Sequence, residues 1–169
     1  MRAAVVTISD RSFRGERPDA SGPVLKRLLE TAGAQLHEPI LIIPDDVRII
    51  VTTLIQLSDF EHCDIIMTTG GTGLSSRDVT PEATCQVIHR RLPGMEEAIR
   101  QDSLTRTPFA MLSRAVVGVR GQTLIVNLPG SPKAVKECFA VVALVLRHAV
   151  TLLRDEDPYA AHVHEEAGR

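Results

Sequence analysis

Tryptophan is absent from this 169-residue sequence, and tyrosine occurs once. Any core it builds is therefore aliphatic. Hydrophobic residues make up 44% of the chain, enough to fill one domain but not two comfortable ones. Charge of one sign is also lacking, since the formal net charge is −2. Nucleic acid binding driven by phosphate neutralisation needs a concentrated basic surface, so that class of function is excluded. Arginines do gather at Arg11, Arg14 and Arg17, but acids are interleaved with them. Cysteine is scarce: Cys63, Cys85 and Cys138 are odd in number and show no CxxC or CxxxH spacing. No disulfide framework is implied, which suits a reducing cytoplasm, and the three are read as small buried hydrophobes. The longest apolar segment, FAVVALVLRHAV, is broken by Arg147 and His148, so no membrane span is expected. The opening MRAAVVTISD runs straight into a strand-like pattern and is read as domain sequence rather than a leader. No repeat and no linker is evident.

What is present is alternation. Residues 3–8 form a valine-rich apolar run, the pattern of a strand buried on both faces. Ser21, Gly22 and Pro23 open a helical spacing of Val24, Leu25, Leu28 and Leu29, with Gly33 placed as its C-cap. A second apolar run covers 39–43. Pro44-Asp45-Asp46 then supplies an acid to cap a helix carrying Val47, Ile50, Val51 and Leu54. Residues 64–69 predict a third strand. Thr80 is read as a hydroxyl cap and Pro81 as the first-turn proline of the next helix. Another helix is predicted over 93–104. The register then changes, and β-branched runs at 114–119 and 123–127, separated by Arg120-Gly121-Gln122, predict a hairpin. Ser131-Pro132 opens a last helix over about 133–153. The expected domain covers 1–154, and 155–169 is read as a flexible tail in which His162 and His164 are solvated.

Strands alternating with helices predict an α/β fold: three layers, α/β/α, around a mostly parallel sheet with a small β-hairpin. In such sheets ligands sit beyond the carboxyl ends of the strands. The residues leaving those ends are Ser9-Asp10, Pro44-Asp45-Asp46, 69–73 and 127–130, all small or polar. Several lead into capped helices, whose free N–H groups favour anions.

The richest of these exits reads TTGGTGLSSRDVTPEAT, from Thr68 to Thr84. Gly70, Gly71, Thr72 and Gly73 allow backbone N–H groups to approach a phosphate. The spacing matches neither GxxxxGK[ST] nor GxGxxG, and no lysine follows. On spacing alone, a steric need for glycine at a tight turn is an equal explanation. Asp78 and Asp45 each have two readings: a local helix cap, or a carboxylate holding Mg²⁺ at bound phosphates. Without further information Ser113 reads as an ordinary strand hydroxyl and Arg114 as a solvated charge. Ser131 reads as a helix cap, and Met95 and Met111 as core or subunit contact. His37, His62, His89 and His148 lack metal-ligand spacing.

SDRSFRGERPDASGP, PDD, TTGGTGLSSRDVTPEAT, LPGMEEAIR, PFAMLSR and RGQTLIVNLPGSPKAVKECF, in that order, resemble the MogA/MoaB family of molybdenum cofactor biosynthesis. The same module occurs in gephyrin and in the plant cofactor-assembly protein. The resemblance spans residues 5–153. It implies a cytoplasmic homotrimer that binds molybdopterin. It also implies Mg²⁺-dependent transfer of AMP from ATP to the pterin's terminal phosphate, with release of pyrophosphate to solution and of product to a metal-insertion partner. Neither nucleic acid nor membrane is an implied partner. The family's two functional acids fall on Asp45 and Asp78, as catalytic and metal-holding residues. Its pterin and phosphate contacts fall on Asp19, Ser21, Gly22, Ser103, Ser113 and Arg114. Its nucleotide contacts fall on Gly70, Gly71, Thr72 and Gly73, and on Asn127, Leu128, Pro129, Gly130 and Ser131. One of Glu96 and Glu97 corresponds to a further family acid.

The implied chemistry suits these residues. A phosphate monoester has a second pKa of about 6 and is already anionic near neutral pH. The reaction needs charge neutralisation and in-line placement rather than a strong base. Two other readings compete with an enzyme of this kind. One is a non-catalytic pterin-binding paralogue acting as carrier or assembly module. The other is an unrelated Mg²⁺-dependent nucleotide phosphohydrolase that needs no pterin.

Overall fold

The computed structural model describes residues 1–155. The predicted tail from 156 onward, with His162 and His164, lies outside the described residues. The chain opens with β1 (Arg2–Ile8), a one-turn helix α1 (Asp10–Phe13) and α2 (Gly22–Thr31). Two short strands follow, β2 (Gln35–Leu36) and β3 (Leu41–Ile43). Next come α3 (Val47–Ile55), a π-helical turn (Gln56–Phe60), β4 (Ile65–Thr69) and α4 (Thr80–Val87). The second half holds β5 (Arg90–Arg91), α5 (Pro93–Leu104), a 3₁₀ turn (Pro108–Leu112), β6 (Val117–Arg120), β7 (Thr123–Leu128), α6 (Pro132–Ala143) and α7 (Leu146–Leu153).

The sheet runs β2-β1-β4-β7-β6-β5, with β3 also on the outer side of β1. Strands β3, β1, β4 and β7 are parallel, while β6 runs antiparallel to β7 and β5. The α/β/α reading therefore holds, including the hairpin. Alternate side chains of the central strands feed two cores, as period-two alternation requires. Ala3, Val5, Ile65, Met67, Leu124 and Val126 pack with α2, α5, α6 and α7. Ala4, Val6, Ile8, Ile66 and Ile125 pack with α3 and α4. Each fully buried leucine or isoleucine in these layers contributes about 1.5–3 kcal/mol, and Phe139 is the one aromatic residue buried in them among the described residues.

The chain leaves β1 toward β3 on one side and returns from β3 to β4 on the other. The crossover direction reverses between β1 and β4, which opens a crevice at their carboxyl ends. Register places Ile8 opposite Ile43, Thr7 opposite Thr69, and Thr69 opposite Leu128. Four polar exits therefore stand side by side.

Four expectations need correction. The run 39–43 forms a strand only over Leu41–Ile43, and β2 precedes it. The last helix is two helices, broken at Leu144 and Val145, where the Val145 N–H bonds back to Val142. The break exposes Leu144 and lets Leu146 and Val150 turn into the core. Thr80 makes no cap bond for α4; its hydroxyl donates to the Gly70 carbonyl at 3.0 Å. Cys85 is exposed, whereas Cys63 and Cys138 are buried as expected. Among the described residues no helix is long and apolar enough to cross a membrane.

Candidate functional site

Two backbone requirements shape the loop after β4. Gly70 has φ +104°, and a Cβ there would collide with the Ile8 carbonyl oxygen. Gly71 has φ +63°, and a Cβ there would collide with the Thr80 hydroxyl and sit 3.1 Å from Asp45 Oδ1. Both positions demand glycine. The Gly70 N–H donates to Leu128 and the Thr69 hydroxyl to Pro129, which seats the loop against the exit of β7. The N–H groups of Gly71, Thr72 and Gly73 find no partner among the described residues. They form the cradle that the glycine spacing left undecided.

This loop walls a cavity of about 200 Å³ lined by Ser9, Ser12, Arg17, Ser21, Asp45, Thr69, Gly70, Gly71, Asp78 and Gly130, above Thr7 and Ile8. Asp45 and Asp78, 33 residues apart in sequence, thus share one chamber. The two acids of the PDD segment separate cleanly. Asp46 caps α3 by accepting from the Arg48 and Ile49 N–H groups at 2.9 and 3.1 Å. Asp45 is left facing the cavity. Asp78 does not cap α4; its Oδ2 accepts the Ser75 N–H at 2.8 Å.

A third acid joins them. The Asp10 N–H donates to Asp45 Oδ2 at 2.7 Å, and the Asp45 N–H donates to Asp10 Oδ1 at 3.1 Å. Arg77, next to Asp78, donates its Nε to Asp10 Oδ2 at 2.9 Å. Desolvation pushes the Asp10 carboxyl upward, but Arg77 and the Asp45 N–H outweigh it, and Asp10 sits below its ordinary value. Asp45 is displaced the other way. Desolvation raises it first, and the charges of Asp10 and Asp78 add to that. A site that collects negative charge with so little compensation is suited to a cation. Two carboxylates beside open N–H groups fit Mg²⁺, which takes one or two protein carboxylates and completes its shell with water and substrate phosphate. Among the described residues no group of three or more His, Cys, Asp or Glu side chains is arranged to hold a metal alone.

A second cavity of about 270 Å³ lies across the same loop. Ser103, Ser113, Glu96, Thr72, Gly73 and Pro129 line it with the apolar Ile99, Phe109, Ala115, Val117 and Cys138. The expected division of residues is therefore crossed. Ser103 and Ser113, assigned to pterin, stand in the apolar cavity. Ser21, from the same set, stands in the acidic one. Of the nucleotide set, Gly70, Gly71 and Gly130 face the acidic cavity, while Thr72, Gly73 and Pro129 face the apolar one.

Several candidates also make hydrogen bonds that hold the fold together. Asp19 accepts the Ser21 and Gly22 N–H groups, each at 3.0 Å, and the Thr7 hydroxyl at 2.8 Å. It, rather than the Ser21 hydroxyl, satisfies the start of α2, and it packs against Gly22. Arg114 is not a solvated charge. It donates to the Gly73 carbonyl at 2.7 Å, to the Asp78 carbonyl at 2.5 Å and to Glu82. It clamps both ends of the segment that carries Asp78. Asn127 is 0% exposed, and its amide ties Thr68, Thr84 and the Val116 N–H together. The Ser131 hydroxyl caps α6 at Ala134. Of the two adjacent glutamates, Glu96 is buried, accepts from Arg91 and the Val117 N–H, and reaches the apolar cavity, whereas Glu97 is exposed. Sequence reasoning gave no role to Asp10, Ser12, Arg17, Arg100 or Phe109. Their one signal was position just after β1 or beside Ser103.

Fold and cavities together define an α/β domain for anionic ligands, with a glycine cradle flanked by carboxylates at the switch point of a parallel sheet. Comparison with known proteins makes the class specific. Residues 4–148 match the family model described as a probable molybdopterin binding domain. A molybdopterin adenylyltransferase of Escherichia coli K12 is 46% identical over 138 residues, 81% of this chain and 71% of that protein. The molybdenum cofactor synthesis protein cinnamon of Drosophila melanogaster is 43% identical over 162 residues, and this chain spans about a quarter of its length, 27%. The crystal structure of the molybdopterin biosynthesis enzyme MoaB from Thermus thermophilus superimposes with a TM-score of 0.86 at 42% identity, covering 92% of this chain and 97% of that one. The chain belongs to the molybdopterin-binding family of molybdenum cofactor biosynthesis.

Proposed function

We propose that this protein is a molybdopterin adenylyltransferase. It takes ATP and molybdopterin, works with Mg²⁺, and passes its product to a metal-insertion partner in the cytoplasm. The observation that carries the reading is the shared chamber: Asp45 and Asp78 face one cavity beside unpartnered N–H groups. The curated relatives named molybdopterin adenylyltransferase support it. A terminal phosphate oxygen of molybdopterin bonds to the α-phosphorus of ATP. The bond from that phosphorus to the bridging oxygen breaks, and pyrophosphate leaves with its electron pair. Asp45 and Asp78 would hold Mg²⁺, which supplies charge neutralisation for the two polyanions. The 71–73 N–H groups orient phosphate oxygens, and Arg114 fixes the loop that presents them. The apolar cavity takes the flat pterin, with Ser103 and Ser113 at its wall. The two reactants then meet across the loop between the chambers.

A homotrimer accompanies this reading. Phe109, 75% exposed, stands beside Met111 and Leu112 at the mouth of the apolar cavity, and a neighbouring subunit would cover them. The test is single-turnover incubation of the purified protein with Mg²⁺, ATP and molybdopterin. Adenylylated pterin and pyrophosphate in equal amounts are expected. Tight pterin binding with no AMP transfer would identify a carrier instead, and ATP hydrolysis without pterin would identify a phosphohydrolase.

A further inference from the structure

We propose that Arg17 is the side-chain cation that binds the polyphosphate of ATP, in the role a lysine plays in loops of the GxxxxGK[ST] kind. The inference rests on the proposed function, since it needs a nucleotide in the acidic cavity. Five arginines, Arg11, Arg14, Arg17, Arg77 and Arg114, lie on or against the segments that flank that cavity, and three are committed. Arg14 pairs with Glu16, Arg77 with Asp10, and Arg114 with Glu82 and two loop carbonyls. Arg17 alone among them lines the cavity, opposite Gly70, Gly71 and Gly130. It has no hydrogen bond or ion pair among the described residues. It sits on the segment between α1 and α2 and lines the cavity together with Thr7 and Ile8 at the carboxyl end of β1.

The chemistry calls for such a group. Asp45 and Asp78 bring negative charge to the cavity lining, and a triphosphate brings more. A single divalent ion on two carboxylates, with the loop N–H groups, leaves the distal phosphates without a cationic partner from the protein. A guanidinium offers a planar fork of donors matched to two phosphate oxygens. An exposed arginine with no internal partner loses no existing ion pair when it turns onto ligand.

Calorimetric titration of the intact protein with ATP and with AMP, each in excess Mg²⁺ and without pterin, tests the assignment. Arg17→Ala should weaken ATP at least fivefold and AMP less than twofold, with no change in thermal midpoint. Arg11→Ala, in α1 and not among the residues lining the cavity, should leave both affinities unchanged. The loss in Arg17→Ala should shrink as salt is raised. An ATP affinity lowered less than fivefold, or an equal loss for AMP, overturns the role of Arg17. If the unaltered protein binds no ATP at all, the proposed function fails first, and the inference falls with it.

Discussion

The two rims of the sheet both carry aspartates, and they use them in opposite ways. At the amino end, Asp64 is almost fully buried and fully satisfied. It accepts the Arg2 N–H at 2.6 Å and the Arg154 guanidinium on both oxygens at 2.7–3.0 Å. Arg154 ends α7, so the pair ties the last described helix to β1 and β4. At the carboxyl end, Asp45 and Asp78 receive only N–H donors, and Arg77, the neighbour of Asp78, is spent on Asp10. The same side chain closes one rim and leaves the other charged. A paired buried carboxylate serves the fold, whereas facing carboxylates without cations mark a place for a ligand.

The sharpest way to break this contrast is to neutralise the open rim. Asp78→Asn should lower single-turnover AMP transfer at least about 10²-fold, with pterin binding retained; full activity would remove Asp78 from the site. Next in size, Asp64→Ala should leave transfer unchanged. It should lower stability by about 2 kcal/mol, because Arg154 and the Arg2 N–H lose their shared acceptor. Calorimetry should show a fall in melting temperature of about 4–8 °C, and an activity loss without that fall would erase the distinction between rims. Arg114→Ala tests the link between chambers. It should reduce kcat/KM for ATP about tenfold by slackening the loop, and an unchanged value in steady-state kinetics would deny it a positioning role.

The smallest effect concerns Asp45. Its folded-state pKa lies above the ordinary value, so ionisation at neutral pH costs folding stability. That cost is absent below the unfolded pKa and grows as pH rises through and above it. Asp45→Asn removes it. The variant should melt higher at pH 7 and show no gain near pH 3, while losing AMP transfer. A lower melting temperature at pH 7 would mean that Asp45 is a structural partner like Asp64.

Much of the fold was legible because local chemistry and burial agreed. The run 3–8 became most of β1, 93–104 became α5 to the residue, an acid of Pro44-Asp45-Asp46 caps α3, and the hairpin formed with its first strand shifted to Val117–Arg120. The misreadings share one cause. Thr80, Arg114 and Asn127 carry polar groups whose partners are at least ten residues away, so their roles depend on which strand exits become neighbours. The helix break at Leu144 is of the same kind, since no proline or glycine marks it and the core decides it.

The sequence alone determined the strand–helix alternation and the mainly aliphatic core, because each depends on residues within a few positions of one another. Only the tertiary structure decided which of Asp45 and Asp46 faces the chamber, that Asp10 pairs with Asp45 beside it, and that one loop divides two cavities. Those facts follow from the reversal of crossover direction at β1, which brings four distant exits together. Proximity across strands leaves no local trace in the chain.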